Sequence, residues 1–235
     1  MSLRTLLAAC VLAFVSIAAT AADIPPVKKG DKFLFFGDSI TAAAGGGKGY
    51  ITVIKGSLND KHPDFGLEFI NAGISGHRVP DLQARLERDV LSKKPTVVFI
   101  YIGINDVWHF THPNTHGNGT PKDKYEGGLK DLIAKITATG ARVLLCTPTV
   151  IGEKTGGANP QDAMLDEYSE ISRKVATDTN MQMVDLHKAF QEYLKANNPD
   201  NKDKGILTGD GVHLNDKGNK LVADEMLKAL GEETK

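Results

Sequence analysis

"TVVFIYIGIND", residues 96–106, carries an unbroken bulky run from Thr96 to Ile102 and then breaks at Gly103. A half-buried strand alternates apolar and polar residues, whereas a short continuous run ended by a turn residue belongs to a strand covered on both faces. Residues 33–36, 67–71, 142–147 and 181–186 are similarly rich in β-branched or aromatic residues. Helical periods fill the gaps. Pro80 opens one that carries Leu82, Leu86 and Val90. Thr120 and Pro121 stand at the cap and first turn of another, with Tyr125, Leu129, Leu132, Ile133 and Ile136 on one face up to Gly140. Pro160 opens a third, with Met164, Tyr168, Ile171 and Val175, and Asn215 is placed to cap the last, whose Val222, Met226 and Leu230 face inward. Strands alternating with helices form right-handed βαβ units. The expected fold is therefore α/β, a five-stranded parallel sheet in a three-layer α/β/α sandwich.

The chain of 235 residues, 41% hydrophobic and 24% charged, is long enough for one domain with a sizeable core. Residues 1–22 stand apart. Arg4 precedes an apolar run at residues 6–17, and Ala19-Thr20-Ala21 offers the small residues at which a signal peptidase cuts. The run is shorter than the roughly 20 apolar residues of a spanning helix, so the expectation is an exported protein, periplasmic or extracellular, cleaved after Ala21 or Ala22. The domain then covers residues 23–235, with no stable membrane insertion. Of the 28 basic residues one, Arg4, would go, leaving 27 against 29 acidic and a net charge of −2. That balance offers no surface for nucleic acid. Cys10 would also go, so Cys146 has no partner for an intrachain disulfide; in "VLLC" it reads as a buried small hydrophobe.

Two connections, residues 104–119 and 148–159, are long for this architecture and both follow strands. In open α/β sheets the ligand crevice lies beyond the carboxyl ends of the strands. The polar and glycine positions fall there: Ser39 after the first strand, Gly73 after the second, Asn105 after the third, and Asp210 with His213 before the last helix. Acyl transfer needs an activated hydroxyl, a base within reach, an orienting carboxylate and donors aimed at the oxyanion. The spacing in "DGVH" lets Asp210 hold Nδ1–H of His213 and leaves Nε2 for the Ser39 proton. Asn105 brings an amide donor, and Gly73 and Ser39 bring backbone N–H groups. Trp108 and Phe110 follow Asn105 closely enough to wall a substrate pocket, with Asp38 beside the serine as a further lining or loop-fixing group.

"GDSI" (37–40), "NAGISG" (71–76), "GIND" (103–106) and "DGVH" (210–213) resemble the four sequence blocks of the SGNH, or GDSL-like, hydrolases. The resemblance spans nearly the whole chain after residue 22, with Ile40 where the first block usually has leucine. It implies a flavodoxin-like fold, Ser39 as nucleophile, Gly73 and Asn105 as oxyanion donors, His213 as base and Asp210 as the acid of the triad. It calls for no cofactor and no metal. The implied substrate is a small-molecule or glycan ester, short acetyl-type esters of carbohydrates or small alcohols before others. A lysophospholipase or lipase, or an O-acyltransferase with the same site, are the alternatives.

Other motifs have plainer readings. Ser75 in "GISGH" does not fit the G-x-S-x-G elbow, and Ser75 and His77 read as turn residues. "GGGKGY" fails the phosphate-loop pattern at Ala42 and Gly49 and reads as a flexible entrance loop. His109, His112 and His116 match no zinc spacing. Arg78 and Arg85, on the helix after "NAGISG", are expected at the surface.

Overall fold

The computed structural model describes residues 26–232, so the leader read at residues 1–22 lies outside the described residues. Five strands, β1 (Lys32–Gly37), β2 (Glu68–Gly73), β3 (Val97–Tyr101), β4 (Arg142–Cys146) and β5 (Gln182–Val184), are parallel in the order β2-β1-β3-β4-β5. The chain steps one way from β1 to β2, then doubles back past β1 to β3. Right-handed crossovers in opposite directions place their helices on opposite faces. Thus α1 (Ser39–Ala43) and α2 (Tyr50–Lys61) cover one face, while α3 (Val79–Asp89), α5 (Lys122–Thr137) and α6 (Asp162–Asp178) cover the other; the short α4 (Ile104–Trp108) follows β3. The chain then returns to the first face, where α8 (Asp216–Ala229) packs on α2 and on α7 (Leu186–Asn197). This is the doubly wound, flavodoxin-like three-layer arrangement, with its switch point between β1 and β3.

The strands explain themselves by burial. Every residue of β3, and Phe33 to Gly37 of β1, is buried, and the Phe35 and Phe99 rings stack at 5.2 Å across the register Phe35↔Phe99. Gly37 stands opposite Gly73 on one side and Tyr101 on the other, so three neighbouring strands end in step. The residues that follow them must share one rim.

The capping of α8 by Asn215 is as expected: Oδ1 accepts from the Lys217 and Gly218 N–H groups at 2.9 and 3.1 Å. Three expectations need correction. Leu186 does not end β5; Asp185 accepts from the Lys188 N–H at 3.1 Å and caps α7, so Leu186 begins that helix. In α6 the buried face is turned by one position, with Leu165, Ser169, Ser172 and Ala176 buried beside Tyr168 and Val175, and Met164 and Ile171 only partly covered. The polar Ser172 belongs inside because its hydroxyl meets Tyr125 Oη at 2.9 Å. Arg85 is not a surface residue, being 6% exposed.

Candidate active site

β1 ends at Gly37, and Asp38 turns the chain: its Oδ1 accepts from the Ile40 N–H at 2.9 Å, which makes Asp38 the N-cap of α1 and Ser39 its first residue. An N-cap is the place for a short acidic side chain. One carboxylate oxygen is used there and the residue is 2% exposed, which fits the loop-fixing reading of Asp38 rather than an open pocket wall. Burial pushes its carboxyl up to about 7, against the pull of the Ile40 N–H. Ser39 is left partly exposed beyond the carboxyl end of β1.

The partner comes from 174 residues further along: His213 Nε2 lies 2.9 Å from Ser39 Oγ. His213 Nδ1 lies 2.7 Å from Asp210 Oδ2. The other oxygen of Asp210 accepts from the Val212 and His213 N–H groups at 2.9 and 2.7 Å, closing the turn that carries both side chains. Gly211, at φ +101°, takes the backbone through the left-handed region, which a side chain disfavours. Partial burial raises the Asp210 carboxyl, but hydrogen bonds from the His213 ring and the two N–H groups outweigh it and hold the group below its ordinary range. A carboxylate facing Nδ1 selects the tautomer with its proton there, so Nε2 is free to accept from the serine.

Asn105 is 4% exposed at the start of α4, and its Nδ2 donates to His77 O at 3.0 Å, using one of its two hydrogens. The Ser39 N–H opens α1, where N–H groups have no intrahelical acceptor. Gly73 is different. Its N–H donates to Asn71 Oδ1 at 2.9 Å, so a substrate oxygen there competes with a side chain already in place. A Cβ on Gly73 would stand 2.1 Å from Ala42 N, so the glycine admits the backbone of α1 as well as any ligand.

Trp108 and Phe110 are partly buried against the core. Asp106 is fully buried, accepts from the Val79 N–H at 3.0 Å and is pushed up to about 6 by burial. In the histidine loop, His112 packs edge-on against Trp108 at 4.6 Å and faces His109 at 6.5 Å; no group of three or more metal-ligating side chains occurs among the described residues. The glycine loop is tied to α8: Lys48 pairs with Asp216 at 2.6 Å, and the Tyr50 N–H donates to Asn219 at 2.9 Å. Ser75 is exposed in a turn and His77 Nδ1 accepts from Arg85 Nε at 3.0 Å. Cys146 is buried, which pushes its thiol up.

Buried charges escaped the sequence reading, Arg85 and Glu153 among them. Arg85 lies 4.5 Å from the centre of the Phe36 ring and donates to Gly37 O at 2.8 Å and Ala72 O at 2.9 Å, clamping the ends of β1 and β2. Its helical spacing from Leu82 was visible; its carbonyl partners at the ends of β1 and β2 were not. Glu153, 0% exposed, stands in the connection after β4, where no periodicity marks a residue as buried.

A hydroxyl, imidazole and carboxylate in series at the switch point of this sheet define the class. Residues 35–221 match the GDSL-like Lipase/Acylhydrolase family, and the chain belongs to that family of serine ester hydrolases. Its relatives are more specific. An acetylxylan esterase of Geobacillus stearothermophilus is 34% identical over 220 residues, covering 87% of this chain and 96% of the relative. The crystal structure of an acetyl xylan esterase, AlAXEase, superposes with a TM-score of 0.81 at 48% identity, covering 85% of this chain and 99% of that one. Structures of Axe2, an acetylxylan esterase from Geobacillus stearothermophilus, include one with a TM-score of 0.79 at 32% identity over 89% of this chain and 98% of that one. Catalytic mutants of Axe2 replace a serine, an aspartate or a histidine with alanine.

Proposed function

We propose that this protein removes short acyl groups, acetyl first, from carbohydrate esters, with Ser39, His213 and Asp210 as its catalytic triad. The observation that carries the reading is the continuous series Ser39 Oγ, His213 Nε2 and Nδ1, Asp210 Oδ2, at 2.9 and 2.7 Å. The similarity to acetylxylan esterases supports the substrate class, and the three mutated residue types of Axe2 match the three types in this series.

In this mechanism Ser39 Oγ attacks the acyl carbonyl as its proton passes to His213 Nε2. Asp210 stays ionised and holds the imidazolium by Nδ1–H; it takes no proton itself. The carbonyl oxygen, now an anion, is met by the Ser39 N–H and by the second Nδ2 hydrogen of Asn105, with Gly73 joining if its N–H leaves or is shared with Asn71. Collapse of the adduct breaks the bond to the alcohol oxygen, which leaves with the proton from His213. Water then attacks the acyl-serine, His213 takes its proton and returns it to Ser39 Oγ, and the carboxylic acid departs.

Aryl esters from acetate to palmitate, assayed beside acetylated xylan with the native protein and Ser39→Ala, test the reading. Acetate is expected to be turned over best, acetate to be released from the polysaccharide, and Ser39→Ala to be folded and inactive. A palmitate preference would favour a lipase, and acyl transfer to an added sugar in preference to water a transferase; full activity in Ser39→Ala rejects the site.

We also propose export, on the strength of Arg4, the apolar run at residues 6–17 and the alanines that end it. Mass spectrometry of the protein from its native host is expected to find a chain beginning at Ala22 or Asp23; an intact Met1 in the mature protein counts against it.

A further inference from the structure

Glu153 has no cation against it: none of the ion pairs among the described residues includes it. Its carboxylate accepts instead from three consecutive backbone N–H groups, Ile206 and Leu207 at 2.7 Å and Thr208 at 2.5 Å, and from the Thr208 hydroxyl at 2.7 Å. A charge buried without a counter-ion survives only when its oxygens are fully hydrogen-bonded. These donors belong to the segment that runs directly into Asp210 and His213. The Thr208 hydroxyl, having donated to Glu153, accepts from the Gly211 N–H at 3.1 Å, and Gly211 O accepts from the Gly152 N–H at 2.8 Å. The turn carrying the acid and the base is therefore held from both sides by residues 152 and 153. Its outer face is exposed, the His213 and Asp210 side chains being 42% and 55% accessible, so their placement relies on the turn beneath them, which the Gly209 N–H bond to His213 O at 2.8 Å also closes.

We propose that Glu153 is a positioning residue for the acid–base pair, its buried carboxylate setting, through the 206–208 N–H groups and the Thr208 hydroxyl, where His213 stands relative to Ser39. This rests on the ester-hydrolase reading of Ser39 and His213. Glu153→Gln keeps the shape but turns an –NH2 toward donors, or leaves one oxygen to serve them all. A displacement of about 1 Å at a reacting group costs on the order of 10² in rate.

The experiment measures kcat and KM on an aryl acetate for Glu153→Gln, alone and in a His213→Ala background, well below each melting temperature. The expected result is a kcat lower by about 10- to 100-fold with KM within about twofold. It also includes a weakened or shifted low-field proton signal of the His213 Nδ1–H, and no further loss once His213 is absent. Thr208→Val and Thr208→Ser form a second arm should Glu153→Gln not fold: the valine variant loses kcat, and the serine variant, which keeps the hydroxyl, recovers most of it. A folded Glu153→Gln with native kcat overturns the proposal, as does the same proportional loss in the His213→Ala background, or equal rates in the two Thr208 variants. Full turnover by His213→Ala alone would instead overturn the underlying reading, which separates the two failures.

Discussion

Asn105 follows the third strand and Asp38 directly precedes the serine, and their side chains are used differently. Asn105 uses one amide hydrogen on His77 O and, in the proposed mechanism, gives the other to the substrate oxygen. Asn105→Ala is expected to lower kcat by about 10² to 10³ with KM little changed, the usual cost of one oxyanion donor; steady-state kinetics on an aryl acetate check it, and an unchanged kcat removes Asn105 from the hole. Asp38 uses one carboxylate oxygen to cap α1 and is buried there. Both residues were legible as candidates from their place after apolar runs. Which way each side chain turns was not, because adjacent residues at a strand end point in different directions and only the packed neighbours decide between them.

At the scale of elements, α3 bears the clamp. Arg85 projects from α3 to the carbonyls of Gly37 and Ala72, and pairs with Asp89 at 2.9 Å. Arg85→Met leaves the Gly37 and Ala72 carbonyls without this donor, while Asp89 keeps its pairing with Arg88 at 2.6 Å. The expected cost is about 2–4 kcal/mol, a fall of roughly 5–15 °C in melting temperature for a chain of this size. Activity should fall too, since Ser39 and Gly73 adjoin the clamped carbonyls; thermal melts with kinetics at low temperature read both. The strands were legible from their bulky runs and most helices from their apolar faces. The rotation of α6 was not, because Ser169 and Ser172 look like surface residues until Tyr125 is found against them.

Across the whole molecule, two buried carboxyls, Asp38 and Asp106, tie stability to pH. Burial raises Asp38 to about 7 and Asp106 to about 6, from ordinary values of 3.8. Between these limits the unfolded chain has released the protons and the folded one still holds them, so their contribution is fully present below about pH 4 and is lost as pH rises toward about 7. Asp38→Asn, which preserves the cap, is expected to melt higher than the native protein at pH 8, with the gap closing toward pH 4. One pKa unit corresponds to about 1.4 kcal/mol, or roughly 3–6 °C here. Melting curves from pH 4 to pH 8 check the trend, and a gap that does not change with pH contradicts it. The sequence by itself determined the parallel α/β sheet and which residues follow its central strands, because burial on both faces and turn-forming glycines leave local marks. Only the tertiary structure decided that His213 comes within 2.9 Å of Ser39, that the Gly73 N–H is already taken, and that Arg85 and Glu153 are buried. Those facts depend on contacts between segments far apart in the chain, and such contacts exist only once crossovers of fixed hand have brought the strand ends to one rim.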